Sequence, residues 1–213
     1  MIKIGIGGIA GAGKSALRDM FKDDGAFVVN LDEVAHGFYS NPESDIYARI
    51  KAEFESRVAG LINPDKSVDR KKLGELVFAD RAALDKLNAI FYEAFRAYIE
   101  NLISELEKKS RIANNGSGLF VLDAAVLFDS GLDALMDFNV WVGAKKETLV
   151  ARLAERRKIG EKYAESIVET QLKAYAPFRE RADYVIDNDG TLAALKNMYL
   201  KLIKEIRENV NKS

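Results

Sequence analysis

Gly8-Ile9-Ala10-Gly11-Ala12-Gly13-Lys14-Ser15 satisfies the spacing G-x-x-x-x-G-K-[ST], which can wrap main-chain N–H groups around a single anion. Glycines at 8, 11 and 13 permit a tight curl that a side chain would block. The N–H groups then converge beside the positive end of the helix that follows. Lys14 is placed to reach the β- and γ-phosphates of a nucleotide, and Ser15 to offer its hydroxyl to Mg²⁺. Gly8, Gly11, Ala12, Gly13, Lys14, Ser15 and Ala16 form the candidate phosphate cradle. The competing reading is a glycine-rich turn that happens to precede a helix. Context argues against it: Ile2-Lys3-Ile4-Gly5-Ile6 alternates as a short strand, and Ala16-Leu17-Arg18-Asp19-Met20-Phe21 reads as a helix. Strand, glycine loop and helix together imply binding of a nucleoside triphosphate.

Transfer from that triphosphate to a hydroxyl needs an acceptor for the hydroxyl proton close to the γ-phosphate. Asp32 follows Ala26-Phe27-Val28-Val29-Asn30-Leu31, and Asp123 follows Gly118-Leu119-Phe120-Val121-Leu122. Both runs are short and apolar on both faces, as buried parallel strands are. Asp32 is the candidate base. A structural role competes with it, since aspartate is a favoured N-cap and a helix begins near Glu33. His36, the sole histidine, reads as a helix-surface or packing residue.

The elements that must position these groups follow from the remaining pattern. A fourth strand, Phe138-Asn139-Val140-Trp141-Val142, follows Asp137, and a fifth, Tyr184-Val185-Ile186, follows Asp183. Strands interleaved with helices predict a doubly wound sheet, with ligands beyond the C-terminal ends of the strands. Between Asp32 and Gly118 the chain is mainly helical. Leu84, Leu87, Phe91, Phe95, Tyr98, Leu102 and Leu106 recur at steps of three or four, the stripe of a core-facing helix. Asn63-Pro64-Asp65-Lys66-Ser67 reads as a turn and 113–118 as a loop back to the sheet. An insertion of this size suits substrate recognition. After the fourth strand, Arg152 and Arg156 share a helix face and Lys158-Ile159-Gly160-Glu161 breaks that helix. Two short charged helices here resemble the lid of small-molecule kinases, whose arginines could clamp a phosphoryl group. A solvated surface would suit Glu155, Glu161, Lys162 and Glu165 equally.

The 213 residues, 48% hydrophobic, suit one α/β domain with insertions. A formal net charge of −1 gives no footprint for nucleic acid and no polybasic membrane anchor. There is no cysteine, which excludes disulfides and thiolate metal sites. No basic leader or long apolar run stands out, and a cytoplasmic protein without a membrane segment is expected.

Among phosphate-loop proteins, a guanine-reading Asn-Lys-x-Asp element after a late strand is missing. Asp187-Asn188-Asp189-Gly190 has a GTPase outline but follows the last strand and reads as a turn. No Leu-Ser-Gly-Gly-Gln signature is present, which disfavours a transporter ATPase. What remains resembles the dephospho-coenzyme A kinase family, nearly end to end. Gly7-Gly8-Ile9-Ala10-Gly11-Ala12-Gly13-Lys14-Ser15 is similar to that family's opening loop, and Val29 to His36 to its D-x-D block. Asp69-Arg70-Lys71-Lys72-Leu73, with Leu76-Val77-Phe78 and Leu87-Asn88-Ala89-Ile90, resembles its coenzyme-binding region. The segment from Asp123 to Leu132 resembles D-x-P-L-L-F-E-S-G-L. Arg152, Arg156, Gln171 and the stretch from Ala182 to Gly190 resemble its lid and its adenine-side loop.

The resemblance implies a P-loop NTPase-type α/β fold: a doubly wound parallel five-stranded sheet with a helical substrate-binding insertion and a helical lid. The nucleotide-binding core is expected at 1–32, 113–146 and 182–213, the insertion at 33–112 and the lid at 147–181. It further implies Mg²⁺-dependent transfer of the γ-phosphoryl of ATP to the ribose 3′-hydroxyl of dephospho-coenzyme A. Asp32 would act on that hydroxyl, Lys14 and the loop would hold the phosphates, and Ser15 would hold the metal. Arg152 and Arg156 would close on the transferred group, Asn188 and Gly190 would border the adenine, and Arg70 and Tyr92 would lie in the coenzyme region. The sequence departs from the family pattern at several points. Ala16 stands for the usual threonine, Asn30 for the first aspartate of D-x-D, Ala125 for a proline, Asp129 for a glutamate, and Tyr92-Glu93 for a His-Pro pair. Those changes leave open two further readings: a kinase for another small hydroxyl substrate, or a non-catalytic nucleotide-binding relative.

Overall fold

In the computed structural model, which describes residues 1–112 and 118–210, strand β1 (Ile2–Gly8) lies at the centre of a five-stranded sheet. Its companions are β2 (Phe27–Asn30), β3 (Leu119–Asp123), β4 (Phe138–Gly143) and β5 (Tyr184–Asp187), in the order β2-β3-β1-β4-β5. β1 runs parallel to β3 and β4, with Ile4 opposite Val121 on one side and Phe138 on the other, and β4 runs parallel to β5. Ile4, Ile6, Phe120, Val121, Leu122, Val140 and Val142 are all buried. Helices cover parallel strands on both faces, so these runs are apolar throughout rather than alternating. The α/β P-loop arrangement expected from the sequence is the one observed.

Contacts divide the chain into two compact units: Met1–Val29 with the described part of Ala113–Ser213, and Asn30–Ile112. The first unit holds α1 (Lys14–Asp23), α6 (Lys146–Arg157), α7 (Glu161–Arg181) and α8 (Leu192–Val210). α1 meets α8 through an edge-on contact of Phe21 with Tyr199, ring centres 4.9 Å apart. α7 is seated by Phe178, which stacks on Phe128 at 5.5 Å, and by Tyr175 against Trp141. No helix among the described residues is long and apolar enough to cross a membrane.

The second unit holds α2 (Leu31–Ser40), α3 (Asp45–Phe54), α4 (Arg70–Ala79) and the 32-residue α5 (Arg81–Ile112). α5 supplies its core with Leu87, Phe91, Phe95 and Ile99, against Ile50 and Phe54 of α3 and Leu73 of α4. Of the predicted stripe, Leu87, Phe91 and Phe95 are buried but Tyr98 is exposed, and the neighbouring Ile99 is the residue that is fully buried at that level. The predicted turn at 63–67 is present: the N–H of Asn63 donates to the Ser67 carbonyl at 2.8 Å, and Lys66 adopts a left-handed φ of 68°. Of the predicted loop at 113–118, residues 113–117 lie outside the described residues.

Candidate active site

The phosphate loop joins the end of β1 to the start of α1 with little room to spare. Gly8 has φ 148°, and a methyl carbon there would stand 2.2 Å from the main-chain oxygen of Val142 on β4. Gly13, the N-cap of α1, has φ 99°, and a methyl carbon there would meet the Asn188 side-chain nitrogen at 2.3 Å. Both positions therefore demand glycine twice over, by backbone conformation and by close approach. Between them the N–H of Ala12 closes a turn on the Ile9 carbonyl at 3.1 Å, and the N–H of Leu17 returns to the Gly13 carbonyl at 3.1 Å. Gly11 packs toward the Leu149 carbonyl of α6. Ser15 is exposed and Ala16 half-buried in the first turn of α1.

Lys14 and Arg18 lie four apart on α1 and so project from one helix face. Both reach the carboxylate that ends β3: Lys14 Nζ lies 3.3 Å from Asp123 Oδ1, and Arg18 Nη1 lies 3.3 Å from Asp123 Oδ2. Asp123 is only 5% exposed, and a buried carboxylate is stable when cations and hydrogen bonds surround it. Arg18 also pairs with Asp19 at 2.8 Å. Sequence reasoning placed Asp123 at a strand end without recognising it as the partner of Lys14. The available signal was the Lys14–Arg18 spacing, which puts two cations toward one acceptor.

Every residue of Asp187-Asn188-Asp189-Gly190, read from sequence as a turn, is engaged. Asp187 ends β5 and receives both guanidinium donors of Arg179, at 2.7 and 2.8 Å. The Arg179 guanidinium holds the Asp187 carboxyl below its ordinary pKa. Asn188 is buried; its N–H donates to the Gly143 carbonyl at 2.7 Å and its side-chain amide to the Ala12 carbonyl at 2.8 Å. The Asp189 carboxylate accepts the N–H of Lys145 at 2.6 Å, capping the start of α6 where Lys145 supplies no side-chain cap of its own. Arg152 of α6 donates to the carbonyls of Asn188, at 2.8 Å, and Gly190, at 3.1 Å. Arg156 is exposed in the last turn of α6, which ends as Lys158 turns left-handed with φ 53°. Thus Ala12, Gly13, Arg152, Asn188 and Gly190 are brought together in the first unit, next to Lys14 and its carboxylate.

Asp32, Arg70 and Tyr92 belong to the second unit, on α2, α4 and α5. Asp32 is exposed in the first turn of α2 and is not its N-cap. That role falls to Asn30, whose side-chain oxygen accepts the Asp32 N–H at 3.0 Å while its amide donates to Glu33 at 3.2 Å. Leu31, predicted as the end of the strand, is instead the first helical residue and is buried. His36 is exposed on α2. Asp69 caps α4 by accepting the N–H groups of Lys71 and Lys72, leaving Arg70 at the first helical position with its guanidinium 5.4 Å from the centre of the Tyr39 ring. Burial pushes the Tyr39 hydroxyl up to about 12, an effect the Arg70 charge partly offsets. Tyr92 is half-buried, and its neighbour Glu93 pairs with Arg49 of α3 at 2.7 Å.

Comparison with known proteins adds an independent measure. The family model described as dephospho-CoA kinase matches residues 2–194. A dephospho-CoA kinase of Aquifex aeolicus is 30% identical over 209 residues, covering 97% of this chain and 98% of the relative. One from Symbiobacterium thermophilum is 35% identical over 191 residues, covering 89% and 74%. In three dimensions, a dephospho-CoA kinase from Campylobacter jejuni aligns over 97% of this chain and 98% of its own, with a TM-score of 0.69 at 22% identity, a likeness of fold.

Proposed function

The chain belongs to the dephospho-CoA kinase family, and we infer that it transfers the γ-phosphoryl of ATP to the ribose 3′-hydroxyl of dephospho-coenzyme A, giving coenzyme A. The single observation that carries this reading is a family match running through the phosphate loop, where Lys14 is held on a buried strand-end carboxylate. In the reaction a bond forms between the 3′-oxygen and the γ-phosphorus while the bond to the β–γ bridging oxygen breaks. ADP leaves, and the hydroxyl proton passes to a base.

Lys14 exchanges Asp123 for the β- and γ-phosphates, where charge grows in the transition state. Arg18 stays on Asp123 and keeps that carboxylate from standing alone. The main-chain groups of Gly8, Gly11, Ala12, Gly13, Ser15 and Ala16 cradle the phosphates. Asp32 takes or orients the 3′-hydroxyl proton. Its exposed position in the first turn of α2 and the presence of a separate cap at Asn30 support a chemical rather than a structural role. Arg152 and Arg156 close on the transferred group; for Arg152 this means giving up a bond to the Asn188 or Gly190 carbonyl. Asn188 and Gly190 border the adenine, and Arg70 and Tyr92 hold the coenzyme.

The donors present fit Mg²⁺: the exposed hydroxyl of Ser15 and the carboxylate of Asp123 are oxygen ligands, few in number, as suits an ion that arrives with phosphates and water. Held there, the ion would supply charge neutralisation for the phosphates. Mixing the protein with ATP, Mg²⁺ and dephospho-coenzyme A and identifying the product by mass spectrometry tests the reading. A product one phosphoryl heavier and identical to coenzyme A is expected. Turnover of a different hydroxyl substrate, with none of dephospho-coenzyme A, would overturn it.

A further inference from the structure

The inward face of α7 carries Ala164 and Val168, both fully buried, and the next position on that stripe is Gln171. A polar residue stands where helical spacing calls for an apolar one, and its partner explains why. The Gln171 side-chain oxygen accepts the main-chain N–H of Ala10, within the phosphate loop, at 3.0 Å. Two residues further on, the Ala12 carbonyl is held by Asn188, whose own carbonyl is held by Arg152 of α6. The loop is therefore fastened at Ala10 by α7 directly and at Ala12 by α6 through Asn188.

The two helices are tied to one another. Lys146 of α6 binds Glu165 and Glu169 of α7, each at 2.6 Å, and Arg179 fixes the far end of α7 to Asp187. A displacement of this hairpin must either break the Gln171 bond or carry Ala10 with it. The chemistry of the group also fits. An amide oxygen accepts a hydrogen bond without bringing negative charge near the phosphates, which a carboxylate would do.

We propose that Gln171 is a positioning residue of the nucleotide site: its amide oxygen fixes the phosphate loop in its anion-receiving shape and makes that shape depend on where the α6–α7 hairpin sits. The proposal rests on the reading of the loop as a nucleotide site, but not on the identity of the hydroxyl substrate. Gln171 contacts the loop and not the reacting atoms, so its influence falls on binding of ADP and ATP alike.

The test compares wild type with Gln171→Met, which keeps the length and removes the acceptor, and Gln171→Glu, which keeps the acceptor. Gln171→Ala serves as a second acceptor-free variant should the methionine fail to pack. Amide hydrogen exchange at Ala10 is expected to accelerate about three- to tenfold in Gln171→Met, the range for one net hydrogen bond, and to stay near wild type in Gln171→Glu. Calorimetric Kd for ADP and KM for ATP are expected to rise about three- to tenfold in Gln171→Met with kcat nearly unchanged, the pattern of lost uniform binding. Unchanged Ala10 exchange, or unchanged ADP affinity, in a folded acceptor-free variant would overturn the proposal. If wild type binds ADP and shows these shifts on substitution yet fails to phosphorylate dephospho-coenzyme A, the substrate assignment falls and the role of Gln171 stands.

Discussion

Asn188, just past the edge strand β5, donates its side-chain amide to the main-chain carbonyl of Ala12, 2.8 Å away in the loop that leaves the central strand β1. The bond is buried, and the methyl-free face of Gly13 is what lets the Asn188 nitrogen approach. Asn188→Ala removes the donor and leaves a buried carbonyl unsatisfied, which costs about 1–3 kcal/mol. We expect a lower urea midpoint with an unchanged slope, together with weaker ADP binding. A variant as stable as wild type would show that another donor serves the Ala12 carbonyl.

Lys14→Ala is expected to leave the fold intact, because Asp123 keeps its contact with Arg18. Phosphoryl transfer should fall by about 10²–10³, as on loss of one preorganised donor to developing charge. Steady-state turnover beside a thermal melt checks both halves. A folded variant retaining more than a tenth of the wild-type rate would remove this lysine from the mechanism.

Asp32→Asn separates chemistry from architecture. The cap of α2 is Asn30, so the substitution should leave the melting temperature where it was. Turnover should drop by about 10²–10⁴, the usual range for removal of a general base. Affinity for ATP should hardly change, since phosphate binding belongs to the loop. Unchanged turnover would return Asp32 to the status of a surface residue.

The Arg179–Asp187 pair predicts an acid-sensitive increment of stability. The Asp187 carboxyl sits below its ordinary pKa because Arg179 hydrogen-bonds to it. A depressed carboxylate contributes fully above its unfolded pKa of about 4 and loses that contribution as pH falls through the folded value. The pair is substantially exposed, so its contribution is about 0.2–1 kcal/mol. Urea unfolding of wild type and Arg179→Leu should differ at pH 7 and converge below about pH 4. A gap that persisted or widened in acid would assign the stabilisation to packing of the arginine stem.

What the sequence made legible was local. The glycine spacing, the lysine and serine after it, and the apolar strand runs ending at Asp123 and near Asp32 all read directly, because one strand or one turn sets each pattern. What stayed hidden was made by pairs distant in the chain. Lys14 meets Asp123 and Asn188 meets Ala12 across separations of 109 and 176 residues, and no spacing rule encodes such meetings. The loop from Asp187 to Gly190 looked like a turn because each of its bonds goes to another element. Asn30 was read only as a departure from a family pattern, whereas an N-cap has its own signature: a favoured Asn, with Glu33 three residues on.

The central position of β1 sets an order of events as the chain is made. Ile4 has Val121 and Phe138 as neighbours, so the first strand and its glycine loop leave the ribosome long before either flank exists. The helical unit, by contrast, draws its core of Phe54, Leu73, Phe91 and Ile99 from one uninterrupted stretch, and such local contacts form early while distant strand pairings wait. The loop waits longest of all, since its Ala12 carbonyl finds a donor only when Asn188 arrives. A chain that had emerged only as far as Ile112 would present the residues of the helical core but none of those that fasten the loop; the grip on the Ala12 carbonyl comes only once Asn188 has emerged.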